Sequence, residues 1–174
     1  RLQVQRIGAI KDKDGQIIES INGTYDSKIK LFTFTDNVNM FTDSIFVKTT
    51  RIEYRTDIDY ATFGRNTDAW RDDDMLSADA GWYDRRSETF FFRDKVHIMT
   101  KDQEAWSDSL FYKRNTMDVE MLGNVQITDT TRNASAVAGR LEYIDSLAQV
   151  TLTRMPAIIG VTDSTGTARD TVYI

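Results

Sequence analysis

Cysteine is absent from the chain, and proline and histidine occur once each. Without cysteine there are no disulfide bonds, thiolate metal sites or cysteine nucleophiles, and the redox compartment stays open. The single histidine, His97, leaves a histidine-based metal site or a Ser-His-Asp triad without partners. No glycine-rich phosphate loop is present either. We therefore expect a non-enzyme with no catalytic residue, no metal ligand and no cofactor.

Long apolar runs are also missing. None approaches the roughly 20 residues of a membrane-spanning helix, so we expect no transmembrane segment in this chain. The net charge of -5 disfavours nucleic acid as a partner. The sequence begins at Arg1 rather than at a methionine. From this we expect a piece of a longer protein, folded as one domain over residues 1–174.

What the sequence does contain is alternation with period two. It is clear in residues 28–41 (KIKLFTFTDNVNMF) and 117–128 (MDVEMLGNVQIT), where apolar and polar residues follow one another. Such alternation, with abundant Thr, Val, Ile, Phe and Tyr and turns of Asp, Asn and Gly, is typical of strands. Helical periodicity is hard to find, so the sequence predicts an all-β fold.

Tyrosines mark an internal repeat. Tyr25, Tyr54, Tyr83, Tyr112 and Tyr143 follow one another at intervals of 29, 29, 29 and 31 residues. Repeats of this length indicate stacked supersecondary units, here about five, each with two or three short strands. The sequence therefore predicts on the order of a dozen strands in one β-solenoid or elongated jelly roll.

Four positions after each tyrosine, at offsets +7, +9, +13 and +15, are apolar in most units. Because all four offsets are odd, their side chains share one face of a strand. We predict that these positions line the interior: Phe32, Phe34, Val38, Met40, Phe90, Phe92, Val96, Ile98, Val119, Met121, Val125 and Ile127. The fifth unit continues with Val150, Leu152, Pro156 and Ile158.

The second unit departs from this pattern, with Ala61, Phe63, Thr67 and Ala69, and we expect an interrupted lining there. In other units a polar or small pair separates +9 from +13, as in Asp36-Asn37. Such pairs tolerate left-handed backbone angles and predict a bulge or tight turn. If the two sheets close, the apolar stripe is a core; if they splay, it is a trough suited to alkyl chains.

Three segments resemble the repeat of the OstA/LptA family: 107–112 (SDSLFY), 122–129 (LGNVQITD) and 136–143 (AVAGRLEY). The resemblance is clearest over residues 77–159 and extends more weakly back to about residue 20. It implies a twisted, V-shaped β-jelly roll of two antiparallel sheets.

The same resemblance implies a function. Members of this family shelter the acyl chains of lipopolysaccharide in the interior and carry the lipid through the periplasm towards the outer membrane. They stack end to end by strand addition, with themselves or with other jelly-roll proteins of the transport system. The C-terminal segment 170–174 is predicted to be one such strand.

Two other functions remain open from the residues alone. A structural or adhesive β-repeat protein would have the same stripe as a dry core. A carbohydrate-binding module would expose Trp70, Trp82 and Trp106 for stacking on sugars, although half-buried packing is commoner for tryptophan. His97, at offset +14, is predicted to face outward, and the acidic run 72–74 is predicted to be a solvated turn rather than a calcium loop.

Overall fold

The computed structural model describes residues 2–5, 10–11, 15–42, 44–160 and 171–173. These residues form seventeen strands, one short 3-10 turn and no α-helix, which confirms the all-β prediction. The strands are β1 (Leu2–Gln5), β2 (Ile10–Lys11), β3 (Ile17–Glu19), β4 (Asn22–Asp26), β5 (Leu31–Thr42), β6 (Ile45–Arg55), β7 (Tyr60–Phe63), β8 (Thr67–Arg71), β9 (Asp74–Ala78), β10 (Ala80–Asp84), β11 (Thr89–Met99), β12 (Gln103–Lys113), β13 (Asp118–Asp129), β14 (Ala134–Ile144), β15 (Gln149–Thr153), β16 (Ala157–Gly160) and β17 (Thr171–Tyr173), with the 3-10 turn at Asp145–Leu147.

Six strands are longer than predicted, at 11 or 12 residues: β5, β6, β11, β12, β13 and β14. Each contributes its two halves to two different layers. The first half of β5 pairs with β4 and its second half with β3, whereas the first half of β14 pairs with β16 and its second half with β15. All pairings are antiparallel. The result is a jelly roll in which one continuous sheet is folded into two layers.

The first layer runs in the order β1-β4-β5-β6-β7-β10-β11-β12-β13-β14-β15. The second runs β2-β3-β5-β6-β8-β9-β11-β12-β13-β14-β16-β17. Thr171–Tyr173 thus form the predicted C-terminal strand, paired inside the chain with β16, while Asp170 and Ile174 lie outside the described residues. Among the described residues, none forms a helix long and apolar enough to cross a membrane.

Each long strand bends from the first layer into the second at the predicted bulge, and we call the row of these bends the fold line. The residue at +12 has a left-handed backbone in every unit, with φ between 47° and 59°: Asn37, Asn66, Lys95, Asn124 and Met155. The residue at +11 is also left-handed in four of the five units. In three of these units its carbonyl accepts the N–H of the residue at offset -4, as in Asp79 N–H to Asp94 O at 2.9 Å. The pairing register shifts here, for example between Arg93 and Val96, so the bulge prediction is confirmed.

The turns at the tips of the first layer repeat in the same way. The residue at +5 is left-handed in all five units, although none of the five is glycine: Lys30, Asp59, Glu88, Met117 and Ala148. In the first three units its carbonyl accepts an N–H from the next unit, as in Thr56 N to Lys30 O at 3.1 Å. The turns are therefore hydrogen-bonded from unit to unit, which fixes the stacking of the repeat.

The degenerate second unit breaks the long strands into β7, β8, β9 and β10 without breaking the lining. Ala61, Phe63 and Ala69 are all buried in the core. The expected interruption is confined to Thr67, whose buried hydroxyl lies 2.9 Å from that of Thr49 and donates to the Gly64 carbonyl at 2.7 Å. Since both hydroxyls are hydrogen-bonded, burying this polar pair costs little.

His97, which was predicted to point away from the core, is half-buried on the outer face. His97 stacks on Trp106 with ring centroids 4.8 Å apart, Trp70 stacks on Phe46 and Trp82 on Phe91. The three tryptophans are all half-buried in such clusters, which is the packing alternative. The acidic run 72–74 lies at the turn between β8 and β9, with Asp72 and Asp73 exposed, as predicted.

Gly81→Ala tests the closeness of the strands in the first layer. A Cβ at Gly81 would lie 2.4 Å from the backbone oxygen of Phe91, whereas at Gly23, the equivalent position of the first unit, the nearest atom would be 3.6 Å away. We expect Gly81→Ala to lower the free energy of unfolding by about 1–3 kcal/mol in urea denaturation, because the backbone must shift. Gly23→Ala should leave it unchanged or raised by about 0.4–1 kcal/mol. Equal effects of the two substitutions would contradict the close approach of the Gly81 and Phe91 backbones.

Candidate functional site

The interior between the two layers is built from rows of inward-facing side chains that run from strand to strand through every unit, and we call these rows rungs. The tyrosines at offset 0 pair with the residues at +7, so that one rung of the first layer runs Tyr25, Phe32, Tyr54, Ala61, Tyr83, Phe90, Tyr112, Val119, Tyr143, Val150. Tyr83 and Phe90 stack with centroids 4.0 Å apart, and Tyr25 and Phe32 at 4.2 Å. The tyrosine repeat therefore forms one continuous row along the molecule.

The positions predicted to line the interior all point into it. Of the twelve, eight are fully buried: Phe34, Val38, Met40, Phe90, Phe92, Val96, Met121 and Val125. The other four, Phe32, Ile98, Val119 and Ile127, are half-buried and pack against the same cluster. Offsets +7 and +9 lie in the first layer and offsets +13 and +15 in the second, across the fold line.

Other interior positions follow the same register on the other side of each tyrosine and were missed. Offset -2 supplies Ile52, Leu110 and Leu141, and offset -7 supplies Ile18, Val47 and Leu76. Offset -5 supplies only small buried residues at the fold line: Ser20, Thr49, Ala78, Ser107 and Ala138. Reading the repeat upstream from each tyrosine would have found all three sets.

The interior is closed in the middle and open at the C-terminal end. Along the tyrosine rung, Tyr83 and Phe90 are each 1% exposed, whereas Val150 is 51% exposed. Tyr112, Val119 and Tyr143 are intermediate. Because β15 is the last strand of the first layer, the side chains of this rung lack a covering strand beyond it among the described residues.

An apolar cavity of about 130 Å³ lies between the layers, roughly where closure gives way to opening. Phe90, Phe92, Leu110 and Val119 line it from the first layer, and Leu76 and Ile98 are among its walls in the second. A cavity of roughly 150 Å³ lined by apolar side chains holds a ligand about as large as benzene. The cavity therefore has room for part of an acyl chain, and a whole chain requires the layers to separate.

The tyrosine hydroxyls form the rim of the interior, away from the fold line. Tyr54 donates to Asp59 at 3.0 Å, and burial together with this carboxylate raises the pKa of Tyr54 to about 12. Tyr83 is buried beside Thr42 of the second layer, and burial raises its pKa as well. The hydroxyls of Tyr54 and Tyr83 therefore stay neutral at physiological pH.

One charged side chain joins the two layers at this rim. Arg71, at the end of β8, donates from Nη1 to the Tyr112 hydroxyl at 2.6 Å, and its guanidinium lies 5.5 Å from the Tyr112 ring centroid. The Asp145 carboxylate raises the pKa of Tyr143, and the charge of Arg71 partly opposes that rise. Arg71 thus stands between two tyrosines of the row, and no feature of the repeat pointed to it.

Comparison with known proteins identifies the family of the chain. The family model of OstA-like proteins matches residues 8–108, the first three units, whereas the repeat is clearest in sequence over 77–159. Among solved structures, the chain is similar to LptH, the LptA-homologous periplasmic component of the lipopolysaccharide transport device from Pseudomonas aeruginosa. The identity is 10%, the TM-score is 0.36, and the alignment covers 93% of this chain and 95% of that one. No curated protein matches the sequence.

Leu110→Ala tests the packing around the cavity. Leu110 is 1% exposed and lines the cavity, whereas Leu147, in the 3-10 turn, is 66% exposed. We expect Leu110→Ala to lower the free energy of unfolding by about 2–5 kcal/mol, because it removes buried contacts and enlarges the void. Leu147→Ala should stay within about 0.5 kcal/mol of the wild type in the same denaturation experiment. A cost below 1 kcal/mol at Leu110 would mean that the layers are not packed there.

Proposed function

Because this chain belongs to the OstA-like protein family, we propose that it is a non-catalytic carrier module for lipopolysaccharide. In this proposal its interior shelters acyl chains while the lipid crosses the periplasm towards the outer membrane. The observation that carries the proposal is the apolar interior itself, which runs through all five units and opens at the C-terminal end. The resemblance of the repeat to the OstA/LptA family supplies the identity of the lipid.

The chemistry of the lining suits a lipid that must move. Apolar contacts are non-directional, and their strength follows buried area rather than a fixed geometry. A chain sliding from one rung to the next therefore exchanges equivalent contacts and meets no deep trap. Met40 and Met121 add unbranched, adaptable side chains that fit alkyl chains of different shape.

The twelve positions predicted from the sequence are the proposed lipid-contacting residues. Val119 and Ile127, which are half-buried, meet the lipid first, because they lie towards the C-terminal end, where the interior opens. The fully buried ones, such as Phe92 and Met121, make contact once the layers separate. A structural or adhesive protein with a permanently dry core is the alternative, and the tightly closed middle units are the observation that favours it.

Photo-crosslinking separates these two functions. A photoreactive residue at Val119 faces the cavity, while one at the adjacent Glu120 faces outward and serves as the matched control. After mixing with purified lipopolysaccharide and irradiation, we expect the crosslinked lipid product at 119 to exceed that at 120 at least several-fold. The same ratio is expected at Ile127 against Gln126. Equal or absent crosslinking at both interior positions would support the dry core instead.

The two ends of the jelly roll are the proposed contacts with other modules of the transport system, or with a second copy of this chain. At the C-terminal end β15 pairs with β14 on one side only among the described residues, and such an edge is a template for another strand. Val150 would then be covered by the next molecule, and the interior would continue from one module into the other.

Val150→Asp tests this end-to-end contact. Charge at a half-exposed rung position opposes burial under an added strand, so we expect weaker concentration-dependent self-association in light scattering. Val137→Asp is the matched control, because Val137 is 37% exposed on the outer face of β14. Association that survives Val150→Asp but is lost on Val137→Asp would assign the contact to the outer face.

A further inference from the structure

The lining of the cavity carries charge only where it is exposed to solvent. Of the side chains that line it, Arg71 and Asp74 are charged, with 33% and 46% of their side-chain surface exposed. Phe90, Phe92 and Leu110, which also line it, are apolar and 1–3% exposed. The cavity therefore combines a charged, exposed part with a buried apolar part, as an amphiphile combines a polar headgroup with an apolar chain.

Arg71 departs from its own repeat. It lies at offset +17, where the other units have Thr42, Thr100, Asp129 and Gly160, so Arg71 is the one basic residue at this offset. Thr42 lies close to Tyr83, and Arg71 lies close to Tyr112, each tyrosine being 41 residues further along. Among the described residues, the buried Tyr83 hydroxyl has no hydrogen-bond partner, whereas the Tyr112 hydroxyl accepts from Arg71. Closing the layers thus requires no arginine, since a threonine takes the equivalent place. The positive charge at this point calls for another explanation.

The guanidinium has donors to spare. Arginine carries five N–H donors, and Tyr112 accepts from one of them at 2.6 Å. The Asp74 carboxylate is 3.9 Å from Nη2, which is longer than a hydrogen bond. A planar fork of donors at the edge of an apolar site is suited to bidentate binding of an oxyanion. An oxyanion at this place would also lie near the negatively charged Asp74 carboxylate, which repels it. Direct hydrogen bonds from the Arg71 guanidinium are therefore needed to hold it.

We propose that Arg71 binds the oxyanion headgroup, phosphate or carboxylate, of an amphiphile whose alkyl chain enters the cavity. This inference rests on the proposed function and names the residue that selects its ligand. The headgroup replaces the weak contact with Asp74 and competes with the Tyr112 hydroxyl for the guanidinium. Arg71 is therefore the point at which an entering lipid loosens the contact between the layers.

Three ligands with one chain length test the proposal: octyl phosphate, octanoate and neutral 1-octanol. Their affinities are measured by protein NMR titration, following the amides of Tyr112 and Val119. For the wild type we expect the two anions to bind at least fivefold more tightly than 1-octanol, and the phosphate-to-carboxylate ratio identifies the preferred headgroup. Arg71→Gln should abolish the preference and leave 1-octanol unchanged, because glutamine keeps a donor for Tyr112 but has no charge.

Two control variants separate headgroup binding from a purely structural contact. Tyr112→Phe removes the partner of Arg71 and should keep or strengthen the affinity for the anions. Arg140→Gln removes an arginine of similar exposure on the outer face, paired with Glu120, and should change nothing. Equal losses in Arg71→Gln and Tyr112→Phe, or an unchanged anion preference in Arg71→Gln, would overturn the proposal. Failure of 1-octanol to bind any variant would instead count against the proposed function of the interior.

Discussion

The structure depends on the bend that each long strand makes between its two halves. A straight strand would place offsets +7 to +15 in one flat sheet, and half of the apolar face would stay in water. The left-handed residue at +12, with its neighbour at +11 in four units, turns the second half of the strand back over the first. A left-handed residue other than glycine costs roughly 1–2 kcal/mol, which is of the order regained by burying one large apolar side chain, about 1.5–3 kcal/mol. The small residues at -5 follow from the same bend, because the layers are closest at the fold line.

The bend also explains why the interior is suited to an elongated apolar ligand. Because the bend is repeated in every unit, the rungs are aligned and the space between the layers is elongated. Side chains fill this space in the middle units and leave it open at the C-terminal end. In the first three units the turns at +5 are hydrogen-bonded to the next unit and hold this part of the first layer together. Across the rim, by contrast, the layers meet through contacts such as Arg71 with Tyr112 and Thr42 beside Tyr83. We therefore expect the layers to separate at the rim while the strands of each layer stay paired.

Much of the fold and of the interior lining could be predicted from the sequence, because the same strand pattern occurs in five units. Period-two alternation gave the inward faces of Phe90 and Phe92, and Asp36-Asn37 marked a bulge through its tolerance of left-handed angles. Continuous long strands were not predicted, since polar pairs resemble strand ends when the pairing across them is unknown. Arg71 could not be found either. Its contact with Tyr112 spans 41 residues and joins the second unit to the fourth, and only the stacking of the folded layers brings the two together.

In the proposed function, lipid enters by parting the two layers, because the cavity of about 130 Å³ holds only part of an acyl chain. The chain has no cysteine, so spin labels can be placed at single positions without background. Asp73 and Lys113 are exposed, lie on opposite layers and adjoin Asp74 and Tyr112 of the cavity wall. Pulsed electron resonance on the doubly labelled protein measures the distance across the rim. The account predicts a longer distance when lipopolysaccharide is bound, and an unchanged distance in a lipid-saturated sample would contradict it.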